Sequence, residues 1–230
     1  MKKVGVMQPY LFPYLGYFQL MKSVDEYVIF DDVQFIKRGW INRNNILLDN
    51  RKFLVTIALD APSSNKLINE TYIQDDFTKF LKTISTAYAR APYKESVMSL
   101  LEKICSYSDK NVARFVGNSL QEMVNYLGLD TKLIYSSEIE QDKSLHAQNK
   151  IIAICETLGA TEYHNSIGGQ ELYDRDVFAS HDMELKFVKP NLPEYKQLGA
   201  EFVPGLSILD VLMFNSVEET SRMLDDYELI

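Results

Sequence analysis

The segment Lys37-Arg38-Gly39-Trp40-Ile41-Asn42-Arg43-Asn44-Asn45 gathers three cations and three asparagines around the chain's only tryptophan. Arg38 and Arg43 offer planar donor forks suited to a phosphate or a carboxylate, and Lys37 adds a point charge beside them. Trp40 presents a flat face on which a base or a sugar ring could stack. Just upstream stand Asp31 and Asp32. Such a pair could act as a general base, or hold a divalent metal between protein and pyrophosphate. Each piece also has a plain structural reading: a basic loop as a solvated face, Trp40 as core, an Asp pair as a turn. Their conjunction with Gln8-Pro9-Tyr10, all at one expected rim, points to a ligand site.

A rim requires strands that end together. Val4 to Gln8 reads as a short apolar strand stopped by Pro9, because proline cannot donate to a ladder. Pro9 and Pro13 bracket the aromatic turn Tyr10-Leu11-Phe12, and helical spacing runs from Leu15 to Val24. Tyr27 to Phe30 is apolar throughout, as in a buried parallel strand, and ends at Asp31-Asp32. Further strands are expected at 53–59, 132–135, 162–164 and 184–188, and helices at 77–90, 93–107, 111–127, 146–158, 207–214 and 217–227. This alternation predicts an α/β fold, predominantly a parallel sheet with helices on both faces. The chain reads as one domain over residues 1–230, with a helical subdomain inserted at about 77–127. Ligands in such sheets bind beyond the carboxyl ends of the strands, and the helix from Leu15 would aim its first amides there.

Other candidates lie farther along. Arg90 stands at an expected helix end, where it could cap the helix or bind a second anion. His164 is the histidine best placed for acid–base work, with Asn165 and Ser166 next to it at a strand end. Gly168-Gly169 could let backbone amides approach a ligand, or simply turn the chain. Ser207 reads as a helix N-cap with Asp210 three residues on, a capping-box variant. No Gly-x-Ser-x-Gly pattern supports a serine nucleophile. The three histidines and two cysteines lack metal-ligand spacing, so no metal-ligand set is read from the sequence.

Bulk properties bound the function. A net charge of -8 and a pI of about 5.0 disfavour a nucleic-acid polymer as partner but permit a small anionic substrate held by local charge. No run approaches the roughly 18 apolar residues of a membrane helix, and Gln8, Pro9 and Pro13 break any signal-peptide core. A cytoplasmic location is expected.

The run Val6-Met7-Gln8-Pro9-Tyr10-Leu11-Phe12-Pro13-Tyr14-Leu15-Gly16-Tyr17-Phe18, then Asp31-Asp32-Val33-Gln34-Phe35 and Gly39-Trp40-Ile41-Asn42-Arg43-Asn44, resembles the WbqC-like family of bacterial proteins. Blocks at 158–163 and 202–210 extend the resemblance over nearly the whole chain. It implies a place in O-antigen or other surface-polysaccharide synthesis, with acyl or glycine transfer to an activated sugar. The motif positions it carries over are Gln8, Tyr10, Tyr17, Asp31, Asp32, Lys37, Arg38, Trp40, Asn42, Arg43, Ser207 and Asp210. Expected ligands are a nucleotide sugar, an acyl donor or ATP, with a divalent metal beside a nucleotide as one option. A nucleotidylyltransferase-like N-terminal part is a second likeness, weakened because no histidines stand at its first turn. An adenylating enzyme and a non-catalytic partner of a pathway enzyme are the alternatives.

Overall fold

Val4 and Val6 face one side of the first strand and Gly5 the other, so one short strand feeds two hydrophobic layers. In the computed structural model, which describes residues 1–230, this strand is β1 (Lys3–Met7). It pairs in parallel with β2 (Glu26–Ile29) and β8 (Glu162–Ser166). Beyond β2 lies β7 (Lys132–Tyr135), and beyond β8 lies β9 (Glu184–Pro190), both parallel. β10 (Tyr227–Leu229) closes the β9 edge antiparallel, giving the order β10-β9-β8-β1-β2-β7. The central sheet is therefore mostly parallel, in a mixed α/β fold.

One core joins Tyr27 and Ile29 to α1 (Leu15–Lys22), α7 (Ile208–Phe214) and α8 (Val217–Leu224). The other joins Val4, Val6 and Val28 to α5 (Ala147–Thr157) and α6 (Arg175–Ser180). The crossover from β2 to β7 carries α2 (Thr78–Ala87), α3 (Lys94–Cys105) and α4 (Val112–Leu127), which add Phe80, Leu101 and Phe115 to the first core. Asn111 caps α4 by accepting from the Ala113 and Arg114 amides, and Gly128 ends it in the left-handed region at φ 66. No helix is long and apolar enough to cross a membrane.

Two stretches depart from the sequence reading. Residues 43–56 form a separate hairpin, β3 (Arg43–Leu48) and β4 (Arg51–Thr56), rather than a loop and one strand at 53–59. Its turn is Asp49-Asn50, with φ of 50 and 59, the doubly left-handed geometry that two-residue hairpins need. Asp and Asn are among the few non-glycine residues that tolerate it. The polar Arg43-Asn44-Asn45 start hid β3 from a hydrophobicity-based reading. β5 (Leu59–Asp60) then pairs with β6 (Tyr72–Ile73). The last helix also stops early, at Leu224, and the chain leaves it as β10. The Gln19 amide holds that exit: its two N–H groups are shared among the carbonyls of Met223 at 2.7 Å, Asp226 at 2.8 Å and Asn191 at 3.0 Å.

The irregular stretch 191–206 is tied down by buried Asp210. Its carboxylate accepts from the Tyr88 hydroxyl at 2.8 Å, the Tyr195 hydroxyl at 2.6 Å and the Gln197 amide at 2.7 Å. Burial pushes the Asp210 pKa up, against the pull of these hydrogen bonds.

Candidate functional site

From β1 the strand order runs to β2 and β7 on one side, and to β8 and β9 on the other. Such a reversal leaves a crevice at the carboxyl ends of the strands, where open α/β sheets bind ligands. Two adjoining cavities lie there. One, of about 720 Å³, has Asp32, Asn69, Ser137, Lys143, His146 and Lys150 on its walls. The other, of about 510 Å³, is lined by Tyr10, Tyr17, Trp40, Asn165, Gly168 and Tyr173, among others, and by no charged side chain. Gln8, Phe30 and Ile36 belong to both.

The aromatic cavity is built by the turn after β1. Trp40 stacks on Tyr10 at 5.8 Å between ring centres, and Tyr17 meets Tyr10 edge-on at 5.8 Å. The Tyr17 hydroxyl donates to the Gln8 carbonyl at 2.9 Å. The Leu11 amide donates to the Trp40 carbonyl at 3.1 Å, clipping residues 37–45 to the turn. Phe12 sits at φ 43, strained for a residue with a side chain. Its carbonyl is held by the Asn44 amide at 2.6 Å and the Ser207 hydroxyl at 2.7 Å. Ser207 also accepts from the Leu209 amide, so it caps α7 and fixes the turn from behind.

The basic segment serves this wall more than it faces a cavity. Arg43 donates through Nε to the Gly39 carbonyl at 2.7 Å, with its guanidinium 5.7 Å from the Trp40 ring centre. Asn42 donates to the Ile57 carbonyl at 2.8 Å. Lys37 and Arg38 are exposed on the adjoining surface, Arg38 at φ 62, and neither lines the two cavities. Arg90 lies elsewhere, at a recess with Leu47, Asp49 and Asn50.

The two neighbouring aspartates have different surroundings. Asp31 is 1% exposed. It accepts from the Ser136 hydroxyl at 3.0 Å, the Ser137 amide at 2.9 Å and the Ser137 hydroxyl at 2.7 Å. It anchors the β7 exit and lines neither cavity. Asp32 lines the charged cavity, pairs with Lys150 at 2.7 Å and shares with Asp31 the one proton of the Ser136 hydroxyl. Lys150 also donates to the Asp32 carbonyl at 3.2 Å and lies 5.1 Å from the Phe30 ring centre. These aspartates do not fit a divalent cation. Their oxygens are taken by serine, amide and ammonium donors, and no three His, Cys, Asp or Glu side chains converge.

His164 lies inside the fold, 0% exposed, with Nδ1 3.0 Å from the Ser23 hydroxyl and Nε2 3.2 Å from Glu162. Burial lowers its pKa below the ordinary 6.5. Hydrogen bonding to Lys186 holds Glu162 below the usual carboxylate range. Neither residue reaches the cavities. Asn165, one residue on, does: its amide donates to the Tyr163 hydroxyl at 2.6 Å and its oxygen accepts from the Ser166 amide. A Cβ at Gly169 would come 2.9 Å from that oxygen, whereas one at Gly168 would meet nothing within 4 Å.

Lys143, His146 and Lys150 escaped the sequence reading. A signal existed: a helix following a parallel strand starts near the same carboxyl edge, and His146 and Lys150 are four apart at such a start. His146 stands at the N-cap of α5 and makes no side-chain cap bond, and no acidic residue occupies the first turn.

No solved structure matches this chain. It is similar to the uncharacterized protein Rv1507c of Mycobacterium tuberculosis (strain ATCC 25618 / H37Rv), with 30% identity over 220 residues, covering 94% of each chain. The model of the WbqC-like protein family matches residues 8–222, a span that takes in the turn, the aspartates, the charged cavity and all of the aromatic one except Val6 and Met7. The chain thus belongs to the WbqC-like protein family.

Proposed function

We propose that the protein is a transferase of surface-polysaccharide (O-antigen) assembly, moving an acyl or aminoacyl group, glycine among the candidates, onto an activated sugar. The observation that carries this reading is the pair of adjoining cavities at the strand-order reversal, one charged and one aromatic, meeting at Gln8. Transfer needs the acceptor held with its reacting group at one point, and two chambers with a common wall can seat the anionic part and the ring of an activated sugar on either side of it. Asp32 would take the proton released when an acceptor amine or hydroxyl attacks the donor carbonyl.

Incubation with nucleotide sugars and isotope-labelled glycyl or acetyl thioesters, followed by mass spectrometry, tests the reading. A labelled sugar product is expected, and Asp32→Asn should lower its rate by about 100-fold or more. A stoichiometric complex with a polysaccharide enzyme and no labelled product would replace catalysis by a partner role.

A further inference from the structure

The two cavities differ in a way that specifies what can sit in them. The charged one holds two lysines and a single carboxylate, Asp32, which Lys150 already neutralises. An ammonium has three donors, and the two contacts of Lys150 with Asp32 leave one for a ligand. Lys143 is exposed and lines the same cavity, and Asn69 and Ser137 add neutral polar groups to it. The first turn of α5, uncapped by any side chain, adds amides at the positive end of the helix. This chamber favours an anion rich in oxygen.

The aromatic chamber has the opposite character. Its walls are Tyr10, Tyr17, Trp40, Leu172 and Tyr173, with Asn165 as a polar contact, and it offers no counter-charge for an anion. It suits a ring with hydroxyl or amide edges. Gly168, exposed and with no atom within 4 Å of where a Cβ would stand, leaves that edge of the chamber open.

We propose that one ligand spans both chambers: a phosphate or pyrophosphate in the charged chamber, joined across Gln8 to a ring in the aromatic one. The substrate class is thus a phosphorylated ring compound, glycosyl or nucleosyl. This rests on reading the paired cavities as the substrate site.

Titration calorimetry on the full chain, with pyrophosphate, uridine, glucose 1-phosphate, the common nucleoside diphosphates and their glucose conjugates, tests it. A joined ligand should bind about 100-fold tighter than either piece alone. Binding of glucose 1-phosphate would identify the ring as the sugar, and binding of a nucleoside diphosphate would identify it as the nucleoside. Lys143→Ala should weaken pyrophosphate and the joined ligand by about tenfold and spare the ring piece. Trp40→Ala should do the reverse, sparing pyrophosphate. Both side chains are exposed, so both variants should fold. Two results would overturn the proposal and leave the transfer reading standing. One is that both variants weaken the same ligands alike. The other is that acyl donors without a phosphorylated ring bind while the panel does not. An absence of any binding, with no labelled transfer, would remove both.

Discussion

Asp32 and Asp210 are both carboxylates held by several donors, yet they sit in different kinds of site. Asp210 is enclosed: two tyrosines and a glutamine fill its oxygens, and every partner belongs to a wall of the core or to the 191–206 stretch. Asp32 has Lys150 and Ser136 on one side and a cavity on the other. Asp31, its sequence neighbour, belongs with Asp210 in this respect. Burial and hydrogen bonding alone therefore do not mark a reactive group. The mark is a polar group with one side left open to a hollow.

The largest expected break of this contrast is Asp210→Ala. It strands three buried donors, and the fold should lose about 3 to 4 kcal/mol. For a chain of this size that is a fall of about 10 °C in Tm, readable by calorimetry. Asp210→Asn keeps an acceptor and should cost clearly less. A wild-type Tm for Asp210→Ala would mean the enclosed network does not hold the 191–206 stretch. Next comes Asp31→Ala, expected to cost about 2 to 3 kcal/mol by freeing the amide and hydroxyl of Ser137 at the β7 exit. Asp32→Asn leaves buried Lys150 without its counter-charge, so it should cost about 2 kcal/mol as well, but here ligand binding or transfer should also fall steeply. Equal activity losses at 31 and 32 would erase the distinction.

The smallest effect concerns His164. Its folded-state pKa lies below the unfolded value, so the unfolded chain binds the proton more readily. The neutral ring's share of stability is complete above the unfolded value and is lost as pH falls from there through the folded one. Urea midpoints at pH 8 and pH 5.5 should differ less for His164→Asn than for the wild type. An unchanged difference would mean that the ring's pKa is the same in the folded and the unfolded chain.

Much of this arrangement is legible in the sequence. The apolar runs at 4–8 and 27–30 identify β1 and β2, and Pro9 marks where the rim begins. That is enough to bring Gln8, Tyr10, Trp40 and Asp32 to one edge. The arginines mislead because composition does not give direction: Arg43 is spent on the Gly39 carbonyl, and Arg38 faces solvent. His164 and Asn165 are adjacent, but side chains alternate across a strand, so only one of them can face the crevice. Lys150 is silent in the sequence because its partner, Asp32, lies 118 residues away. Long-range pairings of that kind follow from strand order, which local pattern does not specify.

Gln19 has a consequence for how the protein comes into being. Its amide nitrogen finds its acceptors more than 200 positions later, at the carbonyls of Met223 and Asp226. The helix that carries Tyr17 to the aromatic wall therefore cannot settle locally as the chain emerges from the ribosome. Its inner polar group waits, unpaired, until nearly everything else has been made. A nascent fragment that ends before Asn191 would have the rim's residues without the brace behind them.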